Sequence, residues 1–207
     1  IKWMGEASVK IAEDEEVLEL AAKSGCSCLM LGFESLSAKN LDEHRKSHLN
    51  PSTFEEAVKK IHSFGITVFG FFIFGFNNDD ETVFKRTIEW AQKNHIEAAQ
   101  LAPLYHFPGS ETYEKNKDTL VNEKWWMDER LDIDYTPPSM SKETLKAGVL
   151  WANKEYNSPV SILKRILRSP DKFFALYMVS SIRKRTLSAL KTWEKDLPSG
   201  AYAFIER

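Results

Sequence analysis

Glu34 closes an apolar stretch at residues 25 to 35, GCSCLMLGFES, and a carboxylate at the exit of such a strand is the first group in this chain with a chemical use. Alternation puts Leu29, Leu31 and Phe33 on one face and Cys28, Met30, Gly32 and Glu34 on the other. The bulky face suits helices packed on a sheet, and the slimmer face suits the crowded inside of a barrel. Glu34 then points inward at the C-terminal end of a strand, where α/β barrels build their sites. The plainer alternative is a carboxylate that caps the next loop or pairs with a nearby lysine. Glu6, near the end of the opening IKWMGEAS, is the second acid to weigh. Together the two would suit a hydrolase with paired carboxylates, but the sequence supplies no nucleophile or metal constellation beside them.

Cys26 and Cys28 form a C-x-C pair on the same strand. Two thiolates can hold a metal, but no second Cys or His pair stands at ligand spacing, so core packing is the expected role. His106, in the loop YHFPGS, can donate to a substrate or move protons, against the plainer reading of a solvated loop histidine. His44, His48, His62 and His95 fall on expected exposed helix or loop positions and are given no role.

These groups must be positioned by repeating strand and helix units. Residues 1 to 8 read as a short strand, followed by a helix with an acidic start at 13 to 16 and Gly25 as its terminator. Residues 36 to 50 read as a polar loop or short helix. Ser52 with Glu55 then makes a capping box, and Phe54, Val58 and Ile61 an apolar stripe that ends at Gly65. Residues 66 to 76, ITVFGFFIFGF, are apolar on both faces, as a central parallel strand should be, with Gly70 and Gly75 open to close approach. Asp79 or Asp80 can cap the next helix, which buries Val83, Ile88, Trp90 and Ala91. Residues 96 to 104 make a fourth strand containing Gln100. Four such units predict a parallel α/β architecture with right-handed crossovers, and four strands form an arc rather than a closed barrel. The pattern stops near 115. An irregular stretch with Trp125 and Trp126 follows, then a Pro-Pro linker, and helices from 141 to about 156, 160 to 168 and 171 to 193. The expected organisation is a partial barrel at 1–115 and a helical C-terminal extension at 116–207.

A composition of 43% hydrophobic and 28% charged residues is ordinary for a globular protein. The chain opens at Ile1 without an initiator methionine, a basic leader or an apolar run of secretory length, so no targeting is expected from it. No stretch reaches the roughly 18 apolar residues of a membrane span, and with only two cysteines the expectation is a soluble, cytoplasmic protein. The net charge of −2 is unevenly spread, since residues 159 to 193 hold eight basic residues against Asp171 alone. From Leu163 to Trp193 basic residues interleave with apolar and aromatic ones, notably Phe173, Phe174 and Tyr177, as in membrane-surface helices or RNA-binding segments, and docking on anionic lipid or a protein partner is the functional reading. The plain reading is a set of helices covering the barrel with a solvated basic face. No specific nucleic acid is expected.

Taken together, W-x-G-E-x-S, GCSCLMLGFES, the stretch from Asn40 to Asn50, GITVFGFFIFGFNND and LYHFPGSETYE resemble the radical S-adenosylmethionine superfamily, in its cobalamin-domain type with a helical extension. The resemblance implies that residues 1 to about 115 are strands three to six of a six-stranded partial barrel. Residues 120 to 165, with WWMDERLDIDYTPPSMSKETL and NSPVSILKR, are similar to the extension. The family's Cys-x3-Cys-x2-Cys motif is missing, which implies a fragment whose 4Fe-4S ligands, and any cobalamin domain, lie upstream. On this reading the chain cradles S-adenosylmethionine for 5′-deoxyadenosyl-radical or methyl-transfer chemistry on an unidentified small molecule. The resemblance implies Glu6 for the methionyl ammonium, Glu34 for the ribose hydroxyls and Lys46 for the cofactor carboxylate, with Ser35 also among the cofactor contacts. It implies the backbone from Phe72 to Gly75 for the adenine, and Gln100 with the loop at 105 to 110 for the far side of the pocket. Relatives carry an acid near Phe71 and a second proline where His106 stands, so both positions depart from the pattern. The alternative is a degenerate β/α module that binds a ligand or partner without activity.

Overall fold

The computed structural model describes residues 1–120, 127, 132–198 and 200–204. The expectations for Trp125 and Trp126 lie outside the described residues. Four parallel strands, β1 (Trp3–Ala7), β2 (Cys26–Glu34), β3 (Thr67–Phe74) and β4 (Ala98–Pro103), lie side by side in chain order. Between them run α1 (Glu15–Lys23), α2 (Ala38–Glu43), α3 (Phe54–Ser63) and α4 (Val83–Lys93). After β4 come α5 (Glu111–Asn116), α6 (Lys142–Tyr156), α7 (Pro159–Arg168) and α8 (Lys172–Lys195). The protein is thus an α/β fold with a parallel sheet and flanking helices.

The period-two pattern of β2 is realised as expected. Leu29, Leu31 and Phe33 join Leu18, Val58, Ile61, Ile88 and Leu145 in one buried core on the helix-covered face. Phe33 stacks on Phe72 at 5.3 Å between ring centroids and meets Phe54 and Trp90 edge-on, so an aromatic cluster locks β2, β3, α3 and α4 together. On the opposite face Cys28 and Phe69 pack against Met178 and Val179 of α8 at one end of the sheet only. Phe71 is half-buried and Gln100 exposed, so the other end of that face stays open. Helix α6 belongs to the main core: Phe84 of α4 lies against Gly148, and Asn153 Nδ2 donates to the Leu101 carbonyl at 3.0 Å.

Two caps differ from the sequence expectation. Asn50, not Ser52, starts the turn before α3, accepting from the Ser52 N–H at 3.1 Å, because Pro51 occupies the first helical position and supplies no donor. Glu55 pairs instead with Lys59 and Lys93. Before α4, Asp80 accepts from Thr82, while Asp79 folds back onto β3.

Candidate functional site

The C-terminal ends of β1 and β2 and the segment after α2 enclose an open cleft of about 440 Å³ lined by Glu6, Met30, Gly32, Glu34, Lys46 and Phe71. Three charged side chains and one aromatic face therefore share one hollow. A neighbouring hollow of about 430 Å³ shares His48 and Leu49 with it but is walled by Val9, Ala12, Phe54 and Ala57. A larger one of about 640 Å³ lies between α4 and α7, and its Arg165 is spent on the carbonyls of Ile96, Glu97 and Tyr156. The first brings opposite charges together at the carboxyl ends of β1 and β2, around a half-buried aromatic side chain.

Glu34 is held in an unusual backbone state. Its φ is +60°, the Ser35 N–H donates across it to the Phe33 carbonyl at 2.7 Å, and the β2–β3 register shifts between Gly32 and Glu34. An i to i+2 bond around a positive-φ residue is the strained form of γ-turn, and here it ends the strand through a bulge. A β-carbon on Gly32 would stand 2.7 Å from Glu34 Oε1, so glycine gives the carboxylate room to lie back over its own strand. Strain of this kind persists where surrounding contacts over-determine it, and it concentrates at functional sites.

Lys46 is aimed by the end of α2. The Lys46 N–H donates to the Leu41 carbonyl and the Arg45 N–H to that of Asp42, with Arg45 at φ +56°. This paired arrangement is the Schellman termination, here built on a non-glycine residue. It turns the chain so that Lys46 Nζ reaches Glu34 Oε1 at 2.6 Å, with the Glu34 side chain 15% exposed and Lys46 40%. Glu34 therefore pairs with a nearby lysine, the plainer of its two sequence readings, and its side chain also lines the cleft.

The other expected residues divide. Glu6, Glu34 and Lys46 come together in the cleft. Ser35 turns away, its Oγ accepting from the Ser37 N–H and from Asn40 Nδ2. Phe72 is buried among the helix-side aromatics, and the space beside Gly75 is filled by the Tyr135 hydroxyl and Leu145, so neither is brought to the cleft. Gln100 lies on the open face of β4, opposite Phe71 in register. Phe71 enters the cleft itself. The sequence signal for it was alternation, which puts it on the face of Phe69 rather than of Phe72.

A buried polar network braces the rim from behind. Asp79 accepts from the Gly75 and Phe76 N–H groups at 2.9 and 3.0 Å and from Asn40 Nδ2 at 2.7 Å, while Asn40 Oδ1 accepts from Asn78. Burial pushes the Asp79 carboxyl above its usual range, against the pull of these hydrogen bonds. His106 is not solvated: it is 2% exposed, its Nδ1 stands 3.2 Å from Asp134 Oδ2, and Tyr135 meets its ring edge-on at 4.7 Å. His62, also expected on the surface, pairs with the buried Glu97 at 3.2 Å. Both cysteines are buried, and burial pushes the Cys28 thiol up to about 12, so it is a packing group against Met178.

No family model matches the chain. Among curated proteins it is similar to the bacteriochlorophyllide d C-12(1)-methyltransferase of Chlorobaculum tepidum, 29% identical over 170 residues, which is 82% of this chain and 37% of that protein. It is 30% identical over 114 residues, 55% of the chain, to an uncharacterized methyltransferase of Pyrococcus horikoshii, and 25% identical over 120 residues, 57% of the chain, to one of Synechocystis sp.. The chain spans 24% and 22% of those two relatives. All three names say methyltransferase, and none prints radical, iron–sulfur or cobalamin chemistry. The expectation of a radical S-adenosylmethionine fragment with a 4Fe-4S cluster and cobalamin is corrected accordingly, and so is the alternative of an inactive binding module. Among the described residues no group of three or more His, Cys, Asp or Glu is placed to hold a metal ion. Nor is any described helix long and apolar enough to cross a membrane.

Proposed function

We propose that this chain is the cofactor-holding part of an S-adenosylmethionine-dependent methyltransferase, with the Glu6, Glu34, Lys46 and Phe71 cleft as the binding site. The observation that carries the reading is the 2.6 Å Glu34–Lys46 pair in an open cleft that also holds a second carboxylate and an aromatic side chain. The names of the three relatives point the same way.

The residues suit the cofactor's chemistry. Its amino acid end carries an ammonium and a carboxylate, which call for an acid and a base, and its ribose carries two hydroxyls, which a carboxylate accepts. Adenine stacks on an aromatic face of the kind Phe71 offers. When bound, the cofactor supplies a methyl group activated by a sulfonium cation. Glu6 and Glu34 give the cleft the negative character that favours a cation. Lys46 limits that charge and orients Glu34, so the carboxylate is preorganised rather than searching rotamers. The half-buried setting strengthens each of these contacts relative to open water.

The sheet belongs to the same proposal as an arc of a β/α barrel. Its sequential strand order lacks the reversal at which doubly wound sheets place their sites, and the cleft lies at the strands' carboxyl ends. A cytoplasmic location fits the two free thiols. Equilibrium dialysis of the protein against methyl-labelled S-adenosylmethionine tests the assignment. Saturable binding displaced by S-adenosylhomocysteine is the expected result, and no binding above that of denatured protein would overturn it.

A further inference from the structure

Helices α7 and α8 both carry apolar side chains on their outward faces. In α7 the buried side chains are Ser161 and Arg165, whereas Val160, Leu163 and Leu167, at helical spacing, are 63%, 59% and 60% exposed. A soluble helix places its residues the other way round. The first turns of α8 also leave apolar side chains in water, with Phe173 at 90%, Leu176 at 54% and Tyr177 at 70% exposure, while Ala175, Met178 and Val179 face inward. Arg165 explains the inward polar face of α7, since its guanidinium lies over the Tyr156 ring at 3.8 Å and caps backbone carbonyls after α4. Nothing in that arrangement requires the opposite face to be apolar.

Charge accompanies the exposed rows. Lys164, Arg168, Lys172, Arg183 and Lys184 are all exposed on these two helices. Among the described residues Lys164, Lys172 and Lys184 have no ion-pair partner, and the acid of the segment, Asp171, is taken by Lys2. Cations flanking outward leucines and aromatics, on helices too polar to span a bilayer, are the composition of an interfacial membrane anchor. A nucleic acid would use the cations but leave Leu163, Leu167 and Phe173 in water.

We propose that the outward faces of α7 and α8 dock on an anionic lipid surface, with Val160, Leu163, Leu167 and Phe173 entering the headgroup boundary and the flanking cations meeting lipid phosphates. The inference is independent of the cofactor assignment. Vesicle flotation with the protein tests it, comparing phosphatidylcholine alone with phosphatidylcholine containing phosphatidylglycerol. Flotation with the anionic vesicles only, abolished in roughly half-molar salt, is expected. Lys164→Glu should weaken partitioning by roughly five-fold or more per charge removed. Leu163→Asp with Leu167→Asp should abolish it while circular dichroism stays unchanged, because both positions are solvent-exposed. Absence of flotation at low salt, unchanged flotation of the double variant, or salt-sensitive binding to single-stranded RNA without flotation would each overturn the proposal. So would a dimer in gel filtration that the double variant dissolves.

Discussion

Lys46 Nζ stands 2.6 Å from Glu34 Oε1, and both residues reach that contact through left-handed backbone, Glu34 at its own φ of +60° and Lys46 through Arg45 at +56°. Two positive-φ residues that are not glycine, at the two ends of one ion pair, mark the place where the fold gives up backbone comfort for side-chain position.

The strain at Glu34 should separate stability from binding. Glu34→Gly relieves the γ-turn and should leave the melting temperature equal to or above wild type despite losing the ion pair, since left-handed backbone costs a β-carbon residue about 1 kcal/mol. Glu34→Ala keeps the strain, loses the pair and should melt lower than the glycine variant. Thermal denaturation of the two side by side checks the order.

Arg45→Gly should stabilise the protein, by up to about 1 kcal/mol, because it relieves the same strain at the end of α2 and gives up only an exposed contact to Glu111. Urea unfolding measures it. A loss of stability would mean that the turn is held by the arginine side chain.

Gly148→Ala tests whether α6 belongs to the core. A β-carbon there would stand 2.2 Å from the Phe84 ring, so overpacking should cost about 1–3 kcal/mol in chemical denaturation. A neutral result would mean that α6 can shift freely against α4.

Asp79 should leave a mark on the pH dependence of stability. Its folded pKa is raised by burial, so its protonated form is favoured in the folded state, and the stability it contributes is present at acid pH and lost as pH rises through the raised value. Asp79→Asn should remove that decline between acid and neutral pH, seen by urea unfolding at several pH values. It should also lower stability by about 1–2 kcal/mol overall, because its amide would face the Asn40 amide donor.

Much of this was legible beforehand, and the parts that were not share a cause. Strand β2, its two faces and the Glu34 exit follow from period-two alternation, which local sequence carries. The helix ends at Gly25 and Gly65 follow from the left-handed backbone that glycine allows, at φ +96° and +79°. The Asn40–Asp79 network joins residues 39 apart, and the His106–Asp134 contact joins residues 28 apart, so no local pattern announces them. The resemblance gives the cofactor the backbone from Phe72 to Gly75, while long-range packing sets the surroundings of that stretch, with the Phe72 ring stacked on Phe33 and Tyr135 beside Gly75. The outward leucines of α7 follow the right helical period, yet period alone does not say which face meets the sheet.

The central claim is that Glu34 and Lys46 hold S-adenosylmethionine, and calorimetric titration of the cofactor into wild type, Glu34→Gln and Lys46→Met measures it most directly. Each variant should lose about tenfold or more in affinity, as expected when one member of a charged contact is removed, while keeping the wild-type circular dichroism spectrum. Wild-type affinity in both variants, with the fold intact, would contradict the assignment and move the site away from the ends of β1 and β2.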